Sequence, residues 1–321
     1  MDQEETTTER LSSRAGPAVA VLIPCLDEEP TIATVVADFR AAFPEARVYV
    51  YDNGSSDRTV EAATEAGATV RGEPVRGKGN VVRRMFADVD ADIYVLVDGD
   101  DTYDATAAPR MIERLIEENL DMVAGARTSE TGVAARRGHR FGNRVLSSIV
   151  ARVFGNRFHD MLTGYRVLSR RFVKSFPALT SGFETETELT VHALTLSMPV
   201  AEVPTAYKER PEGSDSKLRT INDGLRILTT ILILLKEERP FAFFTSIFAV
   251  LAATSLLLAW PLFVTFMETG LVPRFPTAIL ASAIMLLAFL SLACGLILDT
   301  VTWGRRELRR MNYLGIAPPG A

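Results

Sequence analysis

Three carboxylates within four residues give this chain its densest potential chemistry. The run Asp98-Gly99-Asp100-Asp101 directly follows the apolar stretch Ile93–Val97. Carboxylates this close repel, and a bound cation relieves the repulsion at least cost. Spaced D-x-D, Asp98 and Asp100 suit Mg2+ or Mn2+, with diphosphate oxygens filling the remaining positions. Acidic loops also cap helices, so the place of the run, at the end of a buried strand, is what favours the metal. YDNGSSDRT (Tyr51–Thr59) ends a second apolar run with Asp52. Asp57 reads there as a helix cap and Gly54 as a turn residue. Asp52, at the strand tip, could accept a hydrogen bond from the N–H of a uracil or guanine ring. PCLDEE (Pro24–Glu29) ends a third run and could line a base and ribose. RGKGN (Arg76–Asn80) is basic and glycine-flanked, but lacks the spacing of a P-loop or a dinucleotide fingerprint. Lys78 therefore reads equally as part of a plain loop or as a contact to a bound donor.

These motifs need elements to hold them. Ala18–Pro24, Arg47–Tyr51, Ala68–Arg71, Ile93–Val97 and Asp121–Arg127 read as strands. Helical periodicity falls between them, over about Glu28–Phe43, from Asp57, after Gly77 and over Ala107–Glu118. Alternation of this kind, with near-continuous Val/Ile/Leu strands, predicts a mostly parallel, Rossmann-like sheet covered on both faces. Ligands bind such sheets at the carboxyl ends of strands, where the acidic motifs stand. Beyond Arg127 the expected elements are a basic helix over Arg140–Val153, a helix over Glu184–Ser197 and a strand over Val200–Tyr207.

Of the 321 residues, 47% are hydrophobic, unevenly distributed. No charge falls between Phe241 and Met267, or between Phe275 and Leu298. Each stretch exceeds the roughly 20 residues needed to cross a hydrocarbon core, and neither keeps a polar face. The short link Glu268–Arg274 makes them a hairpin. Lys236 and Arg239 before it, and Arg305, Arg306, Arg309 and Arg310 after it, place both flanks and the preceding domain in the cytoplasm by the positive-inside rule. MDQEETTTER is acidic and polar, so no signal peptide is expected. Lys217–Lys236 reads as an interfacial amphipathic helix. The expected organisation is a disordered start (1–17), an α/β domain (18–215), a juxtamembrane helix (216–239), two transmembrane helices (240–300, about 241–267 and 275–298) and a basic cytoplasmic tail (301–321). Net charge is −5 but polarised: residues 1–126 hold 12 Lys/Arg against 25 Asp/Glu, residues 127–174 hold 11 against 2. A basic block beside a membrane suits an anionic ligand or lipid headgroup. Cys25 and Cys294 suggest neither a disulfide nor a metal site, and His139, His159 and His192 lack ligand spacing.

PCLDEE, DNGSSD, GKGN, DGDD, GAR, DMLTGYR (Asp160–Arg166), GFETETEL (Gly182–Leu189) and RPEGSDSKL (Arg210–Leu218) occur in that order. Together they resemble the family 2 glycosyltransferases, and within them the dolichol- or polyprenyl-phosphate sugar synthases with two membrane spans. The likeness covers about residues 18–220. It implies a GT-A fold and inverting, metal-dependent transfer of a sugar from UDP or GDP to a polyprenyl phosphate, by an integral protein of the cell (inner) membrane. It implies Asp98, Gly99 and Asp100 as metal- and diphosphate-binding, Asp52 as base-recognising, Pro24, Leu26 and Glu28 as nucleotide-lining, and Lys78 as a donor contact. Arg127, Asp160, Arg166 and Glu188 would join Asp100 at the reacting centre. Arg127 and Arg166, with Arg210 and Lys217 of the basic segment that closes over the site, would meet the acceptor phosphate. Arg144 would serve it or the lipid headgroups. The hairpin is of a kind that packs with copies of itself, and nothing points to nucleic acid.

Three rivals share parts of this pattern. A processive polysaccharide synthase usually carries Q-x-x-R-W and more spans, and this chain has no such run. A sugar-phosphate nucleotidyltransferase has a Gly-rich basic loop where this chain has PCLDEE. A non-catalytic nucleotide-sugar-binding scaffold tends to lose the acidic pair, which is intact here.

Overall fold

The fold was obtained as a computed structural model, which describes residues 16–128, 160–161, 163–182, 184–208, 229, 232–233 and 235–319. Two compact units form: residues 1–220 with 311–321, and residues 221–310.

The first unit is built on a seven-stranded sheet, ordered β3-β2-β1-β4-β6-β5-β7. Its strands are β1 (Val19–Cys25), β2 (Arg47–Asp52), β3 (Thr69–Gly72), β4 (Ile93–Leu96), β5 (Met122–Thr128), β6 (Arg166–Ser169) and β7 (Val200–Ala206). Helices α1 (Ile32–Ala42), α2 (Thr59–Glu65), α3 (Lys78–Asp88) and α4 (Ala107–Glu117) fill the crossovers. Helix α5 (Arg170–Ser175) follows β6, and α6 (Thr185–Thr195) precedes β7. Most of β1 and all of β4 are buried, as central strands covered on both faces must be. Ile23, Val50, Val95, Ile32, Phe39 and Met111 lie in one apolar core.

The chain runs from β1 outward to β2 and β3, then returns to place β4 on the other side of β1. Strand order therefore reverses between β1 and β4. The crevice at their carboxyl ends is where an open α/β sheet receives a ligand, and PCLDEE and DGDD emerge there.

Besides helix α5, not anticipated from the sequence, two elements of this unit depart from expectation. Helix α1 starts at Ile32, not near Glu28, because Pro30 disfavours helical backbone at Glu29; Glu28–Thr31 instead forms a turn closed by Thr31 N–H on the Glu28 carbonyl at 3.1 Å. Strand β6, not anticipated, slots antiparallel between β4 and β5. Four residues beginning with an arginine carry no periodic signal.

The second unit contains α7 (Pro240–Thr269), and α8 (Phe275–Leu314) runs through it. Both are long and apolar enough to cross a membrane, with mean hydropathy of 2.3 and 2.5 in their most apolar windows, little of which is buried. Gly270 ends α7 in the left-handed conformation, with φ +68°. Helix α8 buries Ala281, Ala288, Gly295 and Thr302, small residues recurring every seven positions. That period makes a seam on which two helices pack closely. Ser255 Oγ donates to the Ala281 carbonyl at 2.7 Å, and Ser291 Oγ to the Phe244 carbonyl at 3.2 Å. Helix α8 continues past Leu298, since Arg-Arg-Glu-Leu-Arg-Arg (305–310) consists of good helix formers. Of the expected juxtamembrane helix, only 229, 232–233 and 235–239 are described; the basic helix expected over Arg140–Val153 lies outside the described residues.

A methyl group on Gly295 would lie 2.8 Å from Phe244 Cβ, whereas one on Gly304 meets nothing within 4 Å. Helix propensity alone favours Gly→Ala by up to about 1 kcal/mol. Gly304→Ala is expected to hold or raise the thermal midpoint in detergent, and Gly295→Ala to lower it.

Candidate active site

The site grows from three strand ends held in register by side-chain bonds to backbone. At the end of β2, Asn53 donates from Nδ2 to the carbonyls of Glu73 and Val75, at 2.8 and 2.9 Å. Its Oδ1 accepts from Gly77 N–H at 2.7 Å, so one amide fixes the loop that leads to Lys78. After β1, Thr31 Oγ1 donates to the Gly99 carbonyl at 2.7 Å and ties that loop to the acidic run. Gly99 itself lies flush against Cys25, where a side chain would come within 2.7 Å of the sulfur.

Asp52 stands at the tip of β2 as expected from its position. Its carboxylate accepts from the N–H groups of Gly54 at 2.9 Å and Ser55 at 3.0 Å, shaping its own turn. A carboxylate has about four acceptor sites, so a further donor can be received. Asp57 accepts from Glu29 N–H and Thr59 N–H, both at 3.1 Å. Burial would raise the Asp57 pKa, but these bonds and the Thr59 hydroxyl outweigh it and hold the carboxyl below its ordinary value. Pro24 and Leu26 are half-buried beside this turn, and Glu28 is buried with its N–H on Thr59 Oγ1 at 2.9 Å.

Asp98 and Asp100 differ in setting. Asp100 is buried, and its Oδ1 accepts from the hydroxyl of Thr102 at 2.6 Å. Asp98 keeps 29% of its side chain exposed, and its Oδ1 accepts from Lys78 Nζ at 2.5 Å. Its Oδ2 faces Gly164 so closely that a methyl group there would lie 2.3 Å away. Lys78, at the start of α3, bonds a second acid, Glu186 Oε1 of α6, also at 2.5 Å. Burial would lower the Lys78 pKa; Asp98 and Glu186 overcome that and keep the ammonium charged well above its ordinary range. The flanking glycines have a steric cause. A side chain on Gly77 would strike the Ser181 carbonyl at 2.1 Å, and one on Gly79 the Thr180 carbonyl at 2.2 Å. Gly77 also has φ +122°, a backbone conformation that side chains disfavour.

No group of three or more His, Cys, Asp or Glu could hold a metal among the described residues. Two hard carboxylates, one partly open, instead fit a divalent ion that arrives with diphosphate oxygens to complete its shell. Glu186 Oε2, in the same corner, is buried without a hydrogen-bond partner.

Arg127 and Asp160 are brought together as a two-pronged pair, Nε to Oδ2 at 2.7 Å and Nη2 to Oδ1 at 2.8 Å. The guanidinium also lies over the Tyr207 ring, 5.5 Å from its centroid. Burial would depress the Arg127 pKa, and Asp160 more than restores it. Tyr103 closes this corner by accepting on its hydroxyl from Gly164 N–H at 2.9 Å.

Arg166 and Glu188 have surroundings other than those expected of them. Arg166 is wholly buried. Its guanidinium donates to the carbonyls of Thr163, Met161 and Glu186, to Thr190 Oγ1 and to Met122 Sδ. Every N–H of the fork is thereby taken up, leaving none for an acceptor phosphate. Burial pushes its pKa down to about 10. Glu188 accepts from Leu179 N–H, Thr180 N–H and the Thr180 hydroxyl, at 2.7, 2.9 and 2.6 Å, and so secures the turn that overlies Gly79. The acid beside Lys78 is Glu186. Residues two apart lie about 200° around a helix, so only one of the pair can face the site. Nothing in the run Glu184–Glu188 marks which. Arg144, Arg210 and Lys217 lie outside the described residues.

Gly164→Ala should displace the Asp98 carboxylate and lower turnover by about a hundred-fold, with the thermal midpoint little changed. Arg166→Lys replaces a fork with a single ammonium that cannot reach these acceptors. Its expected signature is a midpoint lowered by about 5 °C or more, read by thermal unfolding in detergent.

Known proteins resemble this chain in sequence and in fold. The family profile described as glycosyl transferase family 2 matches residues 20–176. Glycosyltransferase AglJ of Haloferax volcanii is 38% identical over 245 residues, covering 75% of this chain and 80% of that one. A dolichyl-phosphate hexose transferase of the same organism is 31% identical over 222 residues, 69% of this chain and 95% of that one. Glucosyl-3-phosphoglycerate synthase from Mycobacterium tuberculosis, solved with Mn2+, UDP and glucosyl-3-phosphoglycerate, superposes with a TM-score of 0.56 at 23% identity, over 68% of this chain and 80% of that one. This last likeness is one of fold, the GT-A fold expected from the motifs. With a profile over the strand ends that carry PCLDEE, DNGSSD and DGDD, and relatives above 30% identity along most of their length, the chain belongs to the family 2 glycosyltransferases.

Proposed function

We propose that this glycosyltransferase moves a sugar from a nucleoside-diphosphate sugar to a polyprenyl phosphate at the cytoplasmic face of a membrane. The observation that carries the reading is an acid-lined crevice in a chain that also bears two helices apolar enough to cross a membrane. A lipid acceptor is the substrate that gains most from such an anchor. The similarity to a dolichyl-phosphate hexose transferase supports the same acceptor chemistry, and Mn2+ with UDP in the mycobacterial neighbour supports the donor class and a divalent ion.

The reaction would be a single displacement. A phosphate oxygen of the lipid forms a bond to the anomeric carbon as the bond from that carbon to the diphosphate oxygen breaks. Configuration inverts, and the nucleoside diphosphate leaves. A phosphate monoester has a second pKa of about 6, so the nucleophile is already ionised at neutral pH and needs no strong base. What remains is electrostatic. A divalent ion held by Asp98 and Asp100 would neutralise the leaving diphosphate. Lys78 brings a permanently charged ammonium to the same oxygens. Arg127 would meet the acceptor phosphate, which competes with Asp160 for its guanidinium. Asp52 and the Pro24–Glu28 strand end would hold the base and ribose.

Incubation of the detergent-purified protein with Mg2+ or Mn2+, a short polyprenyl phosphate and a panel of UDP- and GDP-sugars tests this directly. The expected result is a glycolipid of defined mass from one donor, with inverted configuration. Chelation should abolish it, and Asp100→Ala should reduce it by about a thousand-fold. Metal-dependent donor hydrolysis with no lipid product would transfer the reading to another acceptor. Inactivity without nucleotide binding would leave a scaffold.

A further inference from the structure

Glu186 has no part in the proposed reaction, yet it is one of the two carboxylates bonded to Lys78. The ammonium has three donors and finds two carboxylate oxygens at 2.5 Å each, Asp98 Oδ1 and Glu186 Oε1. The second oxygen of Glu186 is buried and has no hydrogen-bond partner. An unsatisfied buried carboxylate oxygen is costly and calls for a donor. Asp98 has little freedom on its other side, because its Oδ2 abuts Gly164. A divalent ion ligated through Asp98 therefore draws on the carboxylate that Lys78 already holds, and the two cations repel. The backbone at Lys78 cannot retreat, since Gly77 and Gly79 lie flush against the carbonyls of Ser181 and Thr180. Only the side chain can yield, and Glu186, already bonded to it through Oε1, carries a second oxygen, Oε2, with no hydrogen-bond partner.

We infer that Glu186 is a positioning residue that takes the Lys78 ammonium from Asp98 when Asp98 ligates a divalent ion, so that metal and ammonium occupy the site together. The inference rests on the proposed metal role of Asp98. It differs from simple neutralisation of a buried lysine in one respect: the influence of Glu186 on metal binding must pass through Lys78.

Binding of Mn2+ to the full-length protein, followed by loss of the free-ion EPR signal with and without UDP, tests this without any turnover. Glu186→Gln should weaken Mn2+ binding by about ten-fold, because Lys78 then loses one of its two anionic partners and leans more on Asp98. Lys78→Met should bind Mn2+ at least as tightly as the parent. In the Lys78→Met background, Glu186→Gln should change the dissociation constant by less than about two-fold. The inference is overturned if Glu186→Gln leaves binding unchanged in the parent, or weakens it equally in both backgrounds. Glu186→Asp, which keeps the charge but shortens the reach, takes the place of Glu186→Gln should the amide fail to fold, and is judged by the same two comparisons. Asp98→Asn separates the two layers of argument. If it binds Mn2+ as the parent does, the metal role of Asp98 falls and this inference with it; if binding is lost, only the Glu186 comparisons decide.

Discussion

A guanidinium with no exposed surface ties together the segments on which this site depends. From the first residue of β6, Arg166 reaches the carbonyls of Met161 and Thr163 on one side and that of Glu186 on the other. The first two lie between Asp160, the partner of Arg127, and Gly164, the wall behind Asp98. The third belongs to the residue that holds Lys78. Burying a charge is tolerable only where its hydrogen bonds are satisfied, and here each donor has an acceptor. The strand that no periodicity announced is thus the element from which the most consequential buried charge projects.

Around that brace, the sheet supplies location and the backbone supplies closeness. The reversal of strand order between β1 and β4 opens one crevice, and the PCLDEE and DGDD loops enter it from neighbouring strands. Three glycines then let chain segments approach to distances no side chain would allow: Gly99 at Cys25, Gly79 at Thr180 and Gly164 at Asp98. The acids are crowded because these approaches crowd them, and Lys78 is drawn among them by charge.

The α/β class, the two apolar helices and the acidic strand ends were legible in the sequence because each has a local signature: period, length of charge-free run, or carboxylates after an apolar strand. DGDD could be placed at a crevice from one dimension alone. Lys78 could not, because the cause of its G-K-G setting is the backbone of residues 180–181, about a hundred positions away. For the same reason the expectation fell on Glu188 while Glu186 is the acid beside Lys78: which acid of the run faces inward depends on the helix's rotation against α3, not on its composition. Arg166 was read as a phosphate ligand because its motif places it beside the site; its burial became visible only once β6 was seen between β4 and β5.

The close fit of the G-K-G corner has a consequence for how this architecture can be rebuilt. Gly77 and Gly79 lie under the carbonyls of Ser181 and Thr180, and Glu188 holds the turn that carries Thr180. These positions form one mechanical part spread over three stretches of chain. A lineage could drift at any of them only by compensating at the others, and a chimera that imports the lysine loop from a relative would have to import the overlying turn and its helix as well.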